Sequence, residues 1–168
     1  MLLWLRWSKK VSALSEGAVA VVKGKVVVDK GIRVPHAGGT CAFYDLLTET
    51  FGTGMRGRGR PLWLPQKVER KCTSFAVDDG SGRIWVEARD ETIDASGGVR
   101  TSGVIGKKGR ERYTVLTIRD GDTVKVRGLV SKARPGEGGC DLAIRPDVKG
   151  RIEVMFVRSG SAPRAASR

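Results

Sequence analysis

Residues 73–88 read TSFAVDDGSGRIWVEA. Phe75 and Val77 alternate with polar or small neighbours before Asp78-Asp79-Gly80-Ser81-Gly82, and Ile84 and Val86 alternate again after it. Apolar side chains at every second position mark a half-buried strand, because successive side chains of a strand point to opposite faces. Asp and Gly in the middle supply a turn, since they tolerate the positive φ that tight turns demand. The stretch therefore predicts an antiparallel β-hairpin.

Upstream, residues 18–28 (AVAVVKGKVVV) predict a first strand through their β-branched content. Residues 29–39 are a turn-rich connection holding Pro35 and His36, the single histidine. Residues 41–51 (CAFYDLLTETF) have mixed apolar spacing, which leaves a helix open, but Tyr, Phe and Thr favour a strand. A loop follows over 52–61 and a returning strand over 63–69. Downstream, strands are expected over 113–118, 123–130, 142–145 and 151–157, with turns at Gly121-Asp122 and 135–139. Residues 89–112 form a polar insertion. A segment this long without apolar alternation is expected to be a flexible, functional loop over 90–110. Residues 1–16 are a lead-in, and 158–168, rich in Ser, Ala, Pro and Arg, are expected to be a disordered tail.

Many short strands, 23 glycines and few aromatics point to a mainly β fold. We expect an OB-like antiparallel β-barrel with long basic loops, as one domain over residues 17–157. Its core is expected to hold Val26, Phe75, Val77, Ile84, Val86, Val124, Val126 and Leu129.

The net charge of +13 over 168 residues implies an anionic partner: nucleic acid, an acidic lipid surface or an acidic protein. Cys41, Cys72 and Cys140 are odd in number and far apart, which argues for reduced thiols in a cytoplasmic compartment rather than a disulfide framework. No stretch approaches the roughly 20 apolar residues that span a bilayer. Leu2, Leu3, Trp4, Leu5 and Trp7, followed by Lys9 and Lys10, make Trp4 and Trp7 candidates for a membrane interface, or alternatively for a cap on the barrel.

Catalytic patterns are sparse. There is no Ser-centred elbow and no HExxH, and His36 with Cys41 offers two ligands where a catalytic zinc takes three. Gly52, Gly54 and Gly57 spell GxGxxG, but Arg58-Gly59-Arg60-Pro61 cannot start the helix that a dinucleotide site requires. Asp78 and Asp79 lack the further acids of a calcium loop and read as turn residues. No metal, cofactor or catalytic residue is expected, and the chain reads as a non-enzyme.

The basic residues cluster instead. Arg56, Arg58, Arg60, Lys67, Arg70 and Lys71 form one group, and Arg100, Lys107, Lys108, Arg110 and Arg112 a second. Smaller groups lie at Arg6, Lys9 and Lys10 and at Arg158, Arg164 and Arg168. Basic side chains on loops suit contacts to phosphates. The first two groups flank the hairpin and are expected to form one positive face. Trp63, Trp85, Phe43, Tyr44 and Tyr113 offer rings for base stacking or for the core; on strands the core role is favoured.

The order Gly24-Lys-Val, Gly39-Thr-Cys41 with Tyr44, Trp63, Phe75…Asp79-Gly-Ser-Gly82…Val86 and Arg112-Tyr113…Ile118…Gly121-Asp122…Val126-Arg-Gly128 resembles the GIDE-type ("beside a membrane") domain of Mulan-like proteins. The likeness covers about residues 17–157. It implies a domain that sits beside a membrane. The ligase activity of such proteins lies in a RING finger, which three cysteines and one histidine cannot build, so only the domain is implied. Two readings follow: a binding or scaffolding module with an anionic or membrane-proximal partner, or an OB-fold that binds single-stranded nucleic acid or structured RNA.

Overall fold

The computed structural model describes residues 7–52 and 60–160. The predicted hairpin is present as β6 (Phe75–Asp78) and β7 (Arg83–Val86), paired antiparallel with Phe75 opposite Val86. Around it, β1 (Val19–Val27), β11 (Thr123–Lys132) and β12 (Leu142–Arg145) complete a closed ring in the order β1-β6-β7-β12-β11, with β11 pairing back to β1. Every contact around the ring is antiparallel except β7 with β12. The fold is mainly β and OB-like. Closure removes the exposed strand edges that an open sheet presents.

Two segments interrupt the ring. Between β1 and β6 the chain makes a short pair, β2 (Ile32–Arg33) and β3 (Thr40–Cys41), then the long hairpin of β4 (Phe43–Gly52) and β5 (Leu62–Cys72). Between β7 and β11 it makes β8 (Ile93–Ser96), β9 (Val99–Ile105) and β10 (Glu111–Ile118). The two segments join in a four-stranded sheet, β5-β4-β10-β9. The last strand, β13 (Ile152–Arg158), pairs with β11 and carries β8 on its other edge. A 3-10 turn, Val11–Ala13, precedes β1.

The barrel core holds Val22, Val26, Phe75, Val77, Ile84, Val86, Val124, Val126 and Ile144, all at most 1% exposed. Leu129 is the exception among the expected core residues. It is only partly buried, and Val130 points inward instead. The inward parity of β11 runs 124, 126, 128, 130, and position 128 is glycine. A Cβ there would stand 2.5 Å from Ile144 Cγ2 and 2.7 Å from the Arg145 carbonyl oxygen, so β12 packs where a side chain would be. The missing side chain breaks the apolar alternation and hides the register.

The expected flexible loop over 90–110 is overturned: most of it is strand. In β9 the residues that lean toward the covered side are Val99, Thr101, Gly103 and Ile105, so small or polar residues stand where alternation would show. Gly103 is required because the Tyr113 ring occupies the space of its Cβ. The basic residues expected on loops are also largely on strands: Lys67, Arg70 and Lys71 on β5, Arg100 on β9 and Arg112 on β10. The expected disordered tail starts at Arg158, which is the last residue of β13, and residues 161–168 lie outside the described part.

Candidate functional site: two basic surfaces

The register of the four-stranded sheet decides where its basic residues go. Lys71 stands opposite Tyr44 and Lys67 opposite Thr48, on the side covered by β2, β3 and their connection. Arg70 stands opposite Asp45, and Arg100 and Arg112 share that second side through Leu116 and Glu49. The two predicted groups therefore meet in one sheet, but split between its faces, with β5 and β9 as opposite edges. They do not form one positive face. Lys107 and Lys108 sit in the β9–β10 turn, and Arg110 directly precedes β10. Arg60 is exposed just before β5. Arg56, Arg58 and Trp4 lie outside the described residues.

Most strand positions in these groups are already neutralised. Glu69 takes ion pairs from Lys67 and Lys71 and a hydrogen bond from the Tyr44 hydroxyl. Lys67 and Tyr44 donating to that carboxylate, against the opposing pull of burial, bring Glu69 down to about 2. Burial, and then the bond to Glu69, push the Tyr44 hydroxyl up. Arg70 pairs with Asp45 at 2.9 Å. Arg112 reaches Glu49 through two nitrogens, at 2.7 and 3.2 Å, and lies 4.3 Å over the Trp63 ring. Its donated hydrogen bond holds the Glu49 carboxyl below its ordinary value. Arg112 is thus a cross-strand clamp between an acid and a ring. Arg100, Lys107, Lys108, Arg110 and Arg60 make no ion pair among the described residues.

The barrel carries a second basic surface, where Lys9, Lys10 and Arg158, marked in the sequence as small groups, join Lys23 and Lys25, which were not so marked. Lys23 and Lys25 alternate outward on β1. Lys23 stands directly opposite Lys125 of β11. The backbone N–H of Lys9 donates to the Val21 carbonyl at 2.8 Å, which lays the lead-in along β1. Ser8, Lys9, Lys10 and Lys23 then line one open hollow with Asp79, and Lys25 lines another with Arg158 and Gly160. Lys9, Lys10, Lys23 and Lys25 make no ion pair among the described residues.

The acids beside this wall are committed elsewhere. Asp79 accepts from the backbone N–H of Val11, Ser81 and Gly82 and from the Ser81 hydroxyl. Burial pushes its carboxyl up, but those bonds, led by Ser81, outweigh it and hold it below its ordinary value. Asp78 stands opposite Lys25, yet its carboxylate is taken by Gly80 N–H and Arg83. Asp122, 1% exposed, accepts from Arg119 and Gly160 N–H. The sequence marked Lys9, Lys10 and Arg158 as small basic groups, but Lys-Gly-Lys in a strand otherwise made of Val and Ala was the only mark of the β1 part of this wall.

The outward side of the hairpin places Trp85 between Ala76 of β6 and Ala143 of β12. The turn before β12 closes over it: a Cβ on Gly138 would meet the ring at 2.9 Å. That turn is pinned by Arg145, which pairs with Glu137 and Glu87. Of the other rings, Phe43 and Tyr44 are buried, Trp63 is half-buried against Phe51, and Tyr113 stacks on His36 at 5.2 Å.

The three thiols are unbridged. Burial pushes Cys41 up to about 11 and, with Asp90, pushes Cys72 up to about 12, and it raises Cys140 as well. A protonated thiol is a poor nucleophile. Among the described residues no three of His, Cys, Asp and Glu gather as a metal-binding group, and no helix is long and apolar enough to cross a membrane. Comparison with known protein families, with curated proteins and with solved structures found no match for this chain.

Proposed function

We propose that the chain is a non-catalytic binding or scaffolding module for an anionic partner, acting in a cytoplasmic compartment. The observation that carries this reading is the contrast in charge pairing. Lys67, Arg70, Lys71 and Arg112 on the strands of the four-stranded sheet are held by acids, whereas Lys9, Lys10, Lys23 and Lys25 on the barrel wall make no ion pair among the described residues. Lys23 and Lys25 both point outward on β1, which places two ammonium groups side by side on this wall. Four hollows lined by described residues are small and open, from about 220 to 300 Å³, at or below the usual range for small-molecule sites. Together with the protonated thiols, this favours surface contact over chemistry on an enclosed substrate. The setting agrees with the membrane-proximal partner that the GIDE-type resemblance implies.

The test is salt-dependent binding of the full chain to single-stranded oligonucleotide and to anionic vesicles. Lys23→Gln with Lys25→Gln should weaken binding to the anionic probe more than Lys107→Gln with Lys108→Gln in the β9–β10 turn. Absence of binding to either probe at low salt would overturn the reading.

A further inference from the structure

We infer that the lysine wall of the barrel docks on an anionic lipid bilayer, with Trp7 entering the headgroup layer. The inference rests on the proposed binding function and names its partner. Its first support is geometry. Lys9, Lys10 and Lys23 border one hollow, and Lys25 continues the same wall along β1. Asp79, the acid in that first hollow, has both carboxylate oxygens engaged by backbone and hydroxyl donors. The surface thus offers four lysines, Lys9, Lys10, Lys23 and Lys25, that make no ion pair among the described residues.

The second support is Trp7. It is 82% exposed and precedes Ser8, which lines the hollow with Lys9 and Lys10. A large indole left in water beside lysines matches the amphipathic ring found at membrane interfaces, with the ring among headgroups and the ammonium groups against phosphates. Leu2, Leu3, Trp4 and Leu5 precede it in the sequence and add apolar content at the same end of the chain.

The choice of lysine is the third. An ammonium is a compact point charge on a flexible stem, suited to a fluid array of phosphates, whereas bidentate recognition of one fixed phosphate calls for arginine. On this wall β1 supplies lysines only, while Arg70, Arg112 and Arg127 are held in ion pairs elsewhere.

The experiment uses the full chain with phosphatidylcholine vesicles, with and without phosphatidylserine, and single-stranded oligonucleotide as a parallel probe. Binding is expected only with phosphatidylserine, weakening as salt rises. Each lysine removed in Lys23→Gln and Lys25→Gln should lower vesicle affinity about five-fold, the usual effect of one basic residue near an anionic surface. In a Trp4→Phe background, quenching of tryptophan fluorescence by brominated lipid should fall when Trp7→Phe is added. If the β1 variants misfold by circular dichroism, Lys9→Gln with Lys10→Gln, outside the barrel strands, reads the same wall. Lysine-dependent binding to oligonucleotide without vesicle binding overturns the lipid assignment and leaves the anionic-partner reading standing. Binding to neither probe overturns both. Vesicle binding that ignores all four lysines overturns the wall as the docking surface.

Discussion

The barrel and the four-stranded sheet are built from the same kind of strand but hold themselves together differently. In the barrel every strand has partners on both sides, and the interior is a continuous set of branched apolar side chains with almost no exposure. In the sheet, β5 and β9 are the outer strands among the described residues, and one face has its own small apolar cluster of Val34, Cys41, Tyr44, Leu46 and Val115, while only the root of the other, Phe43 and Ile118, joins the barrel core. The other face leaves Val68 72% and Val104 63% exposed and is laced by the Arg70–Asp45 and Arg112–Glu49 pairs. Burying apolar area stabilises a fold far more than surface ion pairs do, since each such pair contributes little. The barrel is therefore the stable part, and the sheet is an elaboration that pairs its charges internally. The consequence for function is that the abundant basic residues of the sheet are less available than the few on the barrel wall.

The strongest challenge to that comparison is a core truncation. Phe75→Ala should cost about 3–5 kcal/mol in denaturant melts, as for other large buried aromatics. A loss much below that would mean the barrel is not the stabilising unit. Gly128→Ala should cost about 1–3 kcal/mol through overpacking against Ile144 and Arg145, with the oligomeric state unchanged. If it is neutral, the close approach of β11 and β12 is more yielding than the barrel picture requires.

A third test sharpens the role of the sheet's acids. The Glu69 carboxyl is lowered from 4.5 to about 2, so its contribution to stability is complete above about pH 4.5 and is lost as the pH falls toward 2. Glu69→Gln, and to a lesser degree Tyr44→Phe, should flatten the denaturant midpoint against pH in that window. An unchanged acid limb in Glu69→Gln would show that the Lys67–Glu69–Tyr44 cluster does not act in folding. The smallest effect is expected on the exposed face: Val68→Thr should stay within about 0.5 kcal/mol of the parent. A larger loss would reveal that this face is covered in solution.

Residues 73–88 announced the hairpin because both of its strands and its turn are local, and the pattern of Phe75, Val77, Ile84 and Val86 is the pattern of their burial. The first strand and the strands at 123–130 and 142–145 were legible for the same reason. The 89–112 segment was not, since Thr101 and Gly103 occupy inward positions where apolar residues would have declared β9. Of the candidate site, the sequence showed the Trp7–Lys10 end and a count of charges, but not which charges stay unpaired. Arg112 and Lys71 look alike in a sequence, and so do Lys23 and Lys67.

What the sequence determined by itself is the mainly β architecture, most of the core and the excess of positive charge, all of which depend on residue type and near-neighbour spacing. The tertiary structure decided which charges are cancelled. Glu49 finds Arg112 through the β4–β10 register, 63 residues away, and Lys23 finds Lys125 through the β1–β11 register. Salt screens exposed charges beyond roughly 8–10 Å, so pairing depends on positions that only the closed barrel and the joined sheet bring together.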